Sequence, residues 1–477
     1  MSRPTRKESI YQVSIHRNGG YMYASTHPYT TDEKTGRRKY VNLHWGTHMK
    51  KLFFVIISVA ACSGLFAQTY DAREQVAANY DKAAGVEGPY RFDAPALTAS
   101  PKGYEPFYIS HYGRHGSRYS WTDATYTSIL KVLEAAKKAD AFTELGQNFY
   151  DRYMDFYLVP LMNTGDLSEL GWEQHTKIAA KVVADFPEIF KNGGKFTARS
   201  STSQRAIVSM SAFITSLQKN APKADIICNS LHTNMLVINP PSAPKQIAER
   251  YDRPRFPSGA VLDNNRKKHY DDILNRLFKD RSFLEDLGGK ANFVNTLYVF
   301  WQGYENYCED GLFEDIFTTE EIVDFWEYES YNSFVSHSMN RYTDIPLLRD
   351  FVECADKAIE TGEISGDFRF GHDTVVNAFV PLLNLNGCGF IPEKAEDVKI
   401  WFQNYNCPMA SNVQFVLYRS KKNPEILFKV LLNGAEATIP QLDAVSGPYY
   451  KWADFQTWAE KLIAEHPQLP APPAFVR

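Results

Sequence analysis

Charge of one sign is missing from this sequence: 52 Lys and Arg stand against 56 Asp and Glu, a formal net charge of −4. So balanced a chain is not a globally basic nucleic-acid binder, and an anionic ligand must be met by a local cluster of cations. Cysteine is scarce, six in 477 residues, and no spacing reads as CxxC or a zinc site. Cys388 and Cys407 could still form a bridge. Long apolar runs are missing too. The membrane-directed segment, residues 52–61, is ten residues long, whereas a stable transmembrane span needs about 20. There is no internal repeat, which excludes a solenoid or propeller. What is present, 44% hydrophobic and 23% charged residues, is globular composition. The length allows two large or three ordinary domains with ample core. The 28 Tyr favour polar–apolar clefts over a coiled coil.

Lys50-Lys51, the apolar run 52–61 and the small residues leading to Ala67-Gln68 form the charged, apolar and cleavage regions of a secretory signal peptide. Export signals act from the N-terminus, so the reading takes Met49 as the start, 49–67 as the signal, and the polar stretch 1–48 as a non-native extension. The expected product is exported, periplasmic or extracellular. Val59-Ala60-Ala61-Cys62 also fits a lipoprotein box, with a lipid anchor on Cys62 as the second possibility. Five cysteines then remain, in a compartment where disulfides are permitted.

Beyond residue 68, strands alternate with helices. Residues 106–111 are a β-type run followed by Arg114-His115-Gly116. Helical periodicity covers 124–145 and 168–186. A strand at 196–198 leads to a helix that Thr202 or Ser203 can cap, and 224–228 is another strand. From 240 to 350 the β-type runs thin out and Tyr, Trp and Phe rise, as in a mostly helical cap. The alternation resumes with helix 348–360, strand 367–370, helix 374–385 and two antiparallel strands, 413–418 and 426–432, before a Pro-rich tail at 467–473. This pattern predicts an α/β sheet with helices on both faces. The α/β core comprises 68–239 and 351–477, and the cap 240–350.

Three strand-to-helix junctions carry chemistry. Arg114-His115-Gly116-Ser117-Arg118 places an imidazole between two guanidiniums at a strand end, where ligand sites of open α/β sheets lie. Two cations there can grip a phosphate bidentately and keep the imidazole neutral and nucleophilic. The bland alternative is a turn with two surface ion pairs. Arg205 sits at a helix N-terminus, itself an anion site. At Gly371-His372-Asp373, His372 can bond a phosphoryl oxygen and Asp373 can protonate a leaving oxygen, although Asp373 alone reads as an N-cap. His111, four residues before His115, pairs with it as a metal ligand only on a helix, and the β-type run argues against one. The stretch 245–281 holds ten Lys and Arg against six Asp and Glu, either a polyanion-binding surface or a solvated helical face.

The ordered set resembles the histidine acid phosphatases, the second branch of the histidine phosphatase superfamily, which includes phytases and multiple inositol polyphosphate phosphatases. Residues 114–118 are similar to its RHGxR motif, Leu167-Ser-Glu-Leu-Gly171-Trp-Glu-Gln174 to its Leu-Thr-x-x-Gly-x-x-Gln segment, Arg205 to its third arginine and His372-Asp373 to its HD motif. Ser120 stands where acid phosphatases carry Pro. Arg118-Tyr119 looks more like the inositol polyphosphate phosphatases, which usually have HAE in place of His372-Asp373. The resemblance implies a three-layer α/β/α, phosphoglycerate mutase-like core with a helical cap. It implies a phosphomonoesterase with nucleophile His115, proton donor Asp373, and Arg114, Arg118, Arg205 and His372 holding the phosphate. Neither metal nor cofactor is called for. The expected ligand is a small phosphorylated molecule, with no nucleic-acid partner. A protein that captures phosphate compounds without turnover is the alternative from another class.

Overall fold

The computed structural model describes residues 12–18, 21–27, 29–31, 38–40, 71–240, 256, 258–308 and 311–466. Residues 1–70 and 71–477 are separate units. In the first, Gln12–Asn18 pairs antiparallel with Tyr21–His27, and Tyr29–Thr31 with Arg38–Tyr40. The expected signal, 49–67, and the Pro-rich tail, 467–473, lie outside the described residues. No helix among the described residues is long and apolar enough to cross a membrane.

The second unit is built on a mixed nine-stranded sheet. Its strands are β1 (Tyr104–Arg114), β2 (Gly194–Ser200), β3 (Ala224–Asn229), β4 (Ile364–Gly371), β5 (Asn412–Ser420), β6 (Leu427–Leu432), β7 (Ala435–Ala437), β8 (Ala444–Ser446) and β9 (Tyr449–Lys451). The order is β8-β9-β6-β5-β1-β4-β2-β3, with β7 paired to β6. Strands β1, β4, β2 and β3 run parallel, and β5 joins β1 antiparallel.

Alternation along β1 sends Tyr108 and Tyr112 to one face and Ile109 to the other. On the first face they pack with Phe351 and Leu348 of helix Ile345–Thr361 and Phe379 of helix Asp373–Leu382. On the second, Ile109 joins Ile178 and Val182 of helix Glu169–Asp185, and Met210, Phe213 and Leu217 of helix Gln204–Asn220. Helices therefore cover both faces, and the three-layer α/β/α expectation holds.

A separate aromatic core forms the helical layer. Helices Tyr270–Leu277, Gly289–Gly303 and Thr319–Ser336 contribute Leu277, Trp301 and Trp326 to it. Helices Ala124–Lys138 and Glu144–Phe156 pack into the same cluster through Tyr126, Ile129, Phe149 and Tyr153. These two helices, which precede residue 240, thus share their buried cluster with the helices that follow it. A helical apolar stripe says that a face is buried, not against what. The single helix expected over 124–145 is also two. Asp140 turns left-handed (φ 52°) after the first, and the Thr143 side chain accepts from the Gly146 amide to start the second.

No disulfide joins the five described cysteines, Cys388 and Cys407 included. Burial pushes the Cys388 thiol up to about 12, so it stays protonated and unreactive.

Candidate active site

Strand register brings the three junctions together. Arg114 at the end of β1 stands opposite Gly371 at the end of β4, and Ser200 of β2 opposite Phe370. The loops leave the same edge of the sheet and are bonded to one another. The His115 amide donates to the Gly371 carbonyl (2.9 Å), the Ser201 amide to Phe370 (2.9 Å), and the Arg114 amide to Ser411 (2.8 Å). Gly116 lies against the first turn of helix Glu169–Asp185 so closely that a Cβ would come within 2.5 Å of the Gly171 carbonyl oxygen, and one on Gly171 within 2.2 Å of that of Ser117. Both positions therefore need glycine, because backbone meets backbone there.

His115 is buried, and its Nδ1 lies 2.9 Å from the Gly116 carbonyl oxygen. A carbonyl only accepts, so Nδ1 carries the proton and Nε2 keeps its lone pair. Burial first, then Arg114, Arg118, Arg205 and His372, hold this imidazole well below its usual 6.5. It is neutral across the physiological range. The His372 ring stands 5.7 Å from it, edge-on. Burial, then Arg205, lowers His372 to about 4, and its Nε2 is 2.9 Å from the Ser201 hydroxyl.

Arg114 is wholly buried, yet its Nε and Nη2 have no hydrogen-bond partner, and neither do Nε of Arg118 and Arg205. Buried guanidinium N–H groups without partners cost free energy unless a ligand accepts from them. Arg114 is positioned through Nη1, which donates to the carbonyls of Val86 and Cys407. Arg205 occupies the first turn after Ser203, which stands at the N-cap position without a side-chain cap bond.

Asp373 is not the cap of its helix. His372 holds the N-cap position and Asp373 is the first helical residue. Its carboxylate lies 3.8 Å from Arg114 Nη2, with 29% of the side chain exposed. Burial pushes the carboxyl up, but Arg114 and Arg118, then His337 and His372, outweigh it and hold it at about 2.

All six expected residues thus meet in one cluster, in which Arg114 and Arg118 are buried and lie near one carboxylate, that of Glu87. Three further residues complete the site. Gln174 accepts from the Ser117 amide (2.8 Å) and donates to its hydroxyl (2.9 Å), fixing the loop after His115. Asn306 accepts from the same hydroxyl (2.6 Å) and donates to the Glu87 carbonyl (2.7 Å). Glu87 itself places its carboxylate 3.1 Å from Arg118 and 3.7 Å from Arg114. Gln174 belonged to a quoted segment but had no role, whereas no motif marks Asn306 or Glu87. His111 lies in β1 with its ring against Phe213, Phe368 and Phe370, away from any ligand set. The described cations of 245–281 are largely committed to carboxylates, as in Arg266 and Lys267 with Asp263 and Arg276 with Glu321, which favours the solvated-face reading there.

Residues 113–433 match the family model described as the histidine phosphatase superfamily (branch 2). No curated protein matches the chain. Among solved structures, the chain is similar to a multiple inositol polyphosphate phosphatase of Bifidobacterium longum in complex with inositol hexasulfate. The TM-score is 0.65 and the identity 18%, covering 82% of this chain and 99% of that one. The same protein in complex with phosphate gives 0.64 and 19% over the same shares. A phytase from D. castellii gives 0.63 and 16%, covering 81% and 86%. At these identities the likeness shows the fold.

Proposed function

The chain belongs to the histidine phosphatase superfamily, branch 2, and is a histidine-type acid phosphatase; from that premise we propose that it hydrolyses phosphomonoesters through a phosphohistidine at His115. The observation that carries this is the free Nε2 of a neutral His115, set among buried guanidinium N–H groups without partners. Nε2 forms a bond to phosphorus as the P–O bond to the alcohol breaks. Arg114, Arg118, Arg205 and His372 take the charge on the non-bridging oxygens, preorganised donors in a dry site. Asp373 donates a proton to the departing alkoxide, then takes one from the water that cleaves the P–N bond. Inositol phosphates enter as substrates to try first, because the similar structures are named inositol polyphosphate phosphatase and phytase.

Denaturing quench of wild-type enzyme turning over a radiolabelled phosphomonoester tests the reading. Label is expected on the peptide containing His115, stable in base and lost in acid, with turnover insensitive to chelator. Label on another residue, or activity abolished by EDTA and restored by a divalent ion, would overturn it.

The reading also keeps 49–67 as an export signal, supported by Lys50-Lys51 and the apolar run that follows. The native N-terminus is expected at Gln68, or at a lipidated Cys62, and a native chain retaining 1–48 would contradict both.

A further inference from the structure

Glu87 is an anion inside an anion site. Its carboxylate touches two of the three arginines that the proposed reaction needs, and it is held there by its own backbone, through Asn306, to the loop that carries His115. Arg114 Nη2 lies between Glu87 at 3.7 Å and Asp373 at 3.8 Å. The guanidinium that holds the proposed proton donor therefore also faces the Glu87 carboxylate. A cavity of about 180 Å³ opens on the side of Glu87 and Arg118. Its charged lining residues are Glu87 and Arg118, which are already paired. The rest of the wall is neutral, with Val86, Ser120, Trp121, Val299 and Tyr307 in it. Of these, Trp121 is 67% and Val299 43% exposed, so the cavity meets solvent through apolar side chains.

A second phosphate on an alcohol that enters this cavity would meet the Glu87 carboxylate, and the one cation among the described lining residues, Arg118, is already bonded to that carboxylate through Nη2. Resting on the phosphatase reading above, we propose that Glu87 sets the charge limit of the substrate. The site prefers phosphomonoesters whose alcohol carries no further phosphate beside the reacting one, and it discriminates against densely phosphorylated rings. The attractive part of recognition, the arginine clamp, is common to all phosphomonoesters. The repulsive part is what separates them.

The test compares kcat/KM for an inositol monophosphate and for inositol hexakisphosphate in wild type and Glu87→Gln. The substitution is expected to raise the hexakisphosphate value at least tenfold relative to the monophosphate value, carried by KM. Equal changes on both substrates would mean that Glu87 only competes for the arginines, and would overturn the proposal. A second arm needs no turnover: calorimetric binding of inorganic phosphate and inositol hexasulfate to wild type, with phosphate expected to bind more tightly. The reverse order overturns the proposal even if Glu87→Gln fails to fold. Wild type that releases phosphate from neither substrate would refute the phosphatase reading, while the binding order would still decide the role of Glu87.

Discussion

Replacing His115 with alanine should lower turnover of every phosphomonoester by a factor on the order of 10⁴–10⁶, the range seen when the nucleophile of a covalent mechanism is removed. The loss should not depend on the leaving group, because a nucleophile is needed whatever departs. No substitute stands ready: the His372 ring, 5.7 Å away, has its Nε2 engaged by Ser201, and a guanidinium has no lone pair to offer as a nucleophile. Phosphate binding should survive, since Arg114, Arg118 and Arg205 remain. Steady-state rates on aryl and alkyl phosphates, together with the quench experiment, check this. A variant that kept a tenth of wild-type activity without trapped label would show that water attacks directly and that His115 has another role.

Asp373→Asn should act through the leaving group instead. General acids contribute about 10²–10⁴-fold, most where the departing oxygen is basic. The variant should therefore lose about that factor on alkyl and inositol phosphates, and far less on an activated aryl phosphate. Equal losses on both would make Asp373 a mere partner of Arg114. The pH profile follows from the same carboxyl. The arginines hold it at about 2, so at pH 5 this carboxyl carries no proton before substrate binds. The proton must arrive on the substrate, as the phosphate monoanion whose remaining ionisation lies near about 6. Once the phosphoryl group sits on the arginines it offsets the field that kept Asp373 ionised, and the proton can pass to the carboxyl. Accordingly kcat/KM should fall as pH rises above about 6, while His115, neutral far into acid, sets no limb near its ordinary value.

How much of this was legible in the sequence depends on how far each signal reaches. The junctions at 114–118, 205 and 371–373 were readable because a strand, a turn and a helix N-terminus are local patterns, and the residue types at them restrict the chemistry. Packing partners were not. Tyr126 and Ile129 show helical spacing, but only the folded chain shows that they join the buried cluster of Trp301 and Trp326. Asp373 taken alone reads as a cap because Asp commonly is one, and only the folded chain puts His372 at that position. Glu87 was beyond reach for a different reason. It comes from the short turn Gly85–Glu87, which has no periodicity, and its importance lies in a contact across the fold with Arg118.

The imidazoles around the catalytic strand end also bear on the protein's tolerance of acid. His111, held at about 3, His175 and His372, each at about 4, and His115, well below 6.5, are all lowered first by burial. Unfolded, each would take up a proton near about 6.5. Below that value the unfolded chain takes up protons that these native imidazoles resist, so their contribution is intact above pH 6.5 and is lost as pH falls. Buried Asp344 opposes them, since burial raises its carboxyl and the native state binds its proton first. Melting temperature should drop sharply from pH 6.5 to 4.5. His111→Leu, which removes one proton-binding group whose ring nitrogens have no hydrogen-bond partner, should flatten that drop. A melting temperature constant over the range would contradict the argument. The ionisation states that make the site reactive in acid thus also limit how acidic a medium the folded chain survives, and a bound phosphate monoester, by compensating His115 and His372, should extend that limit downward.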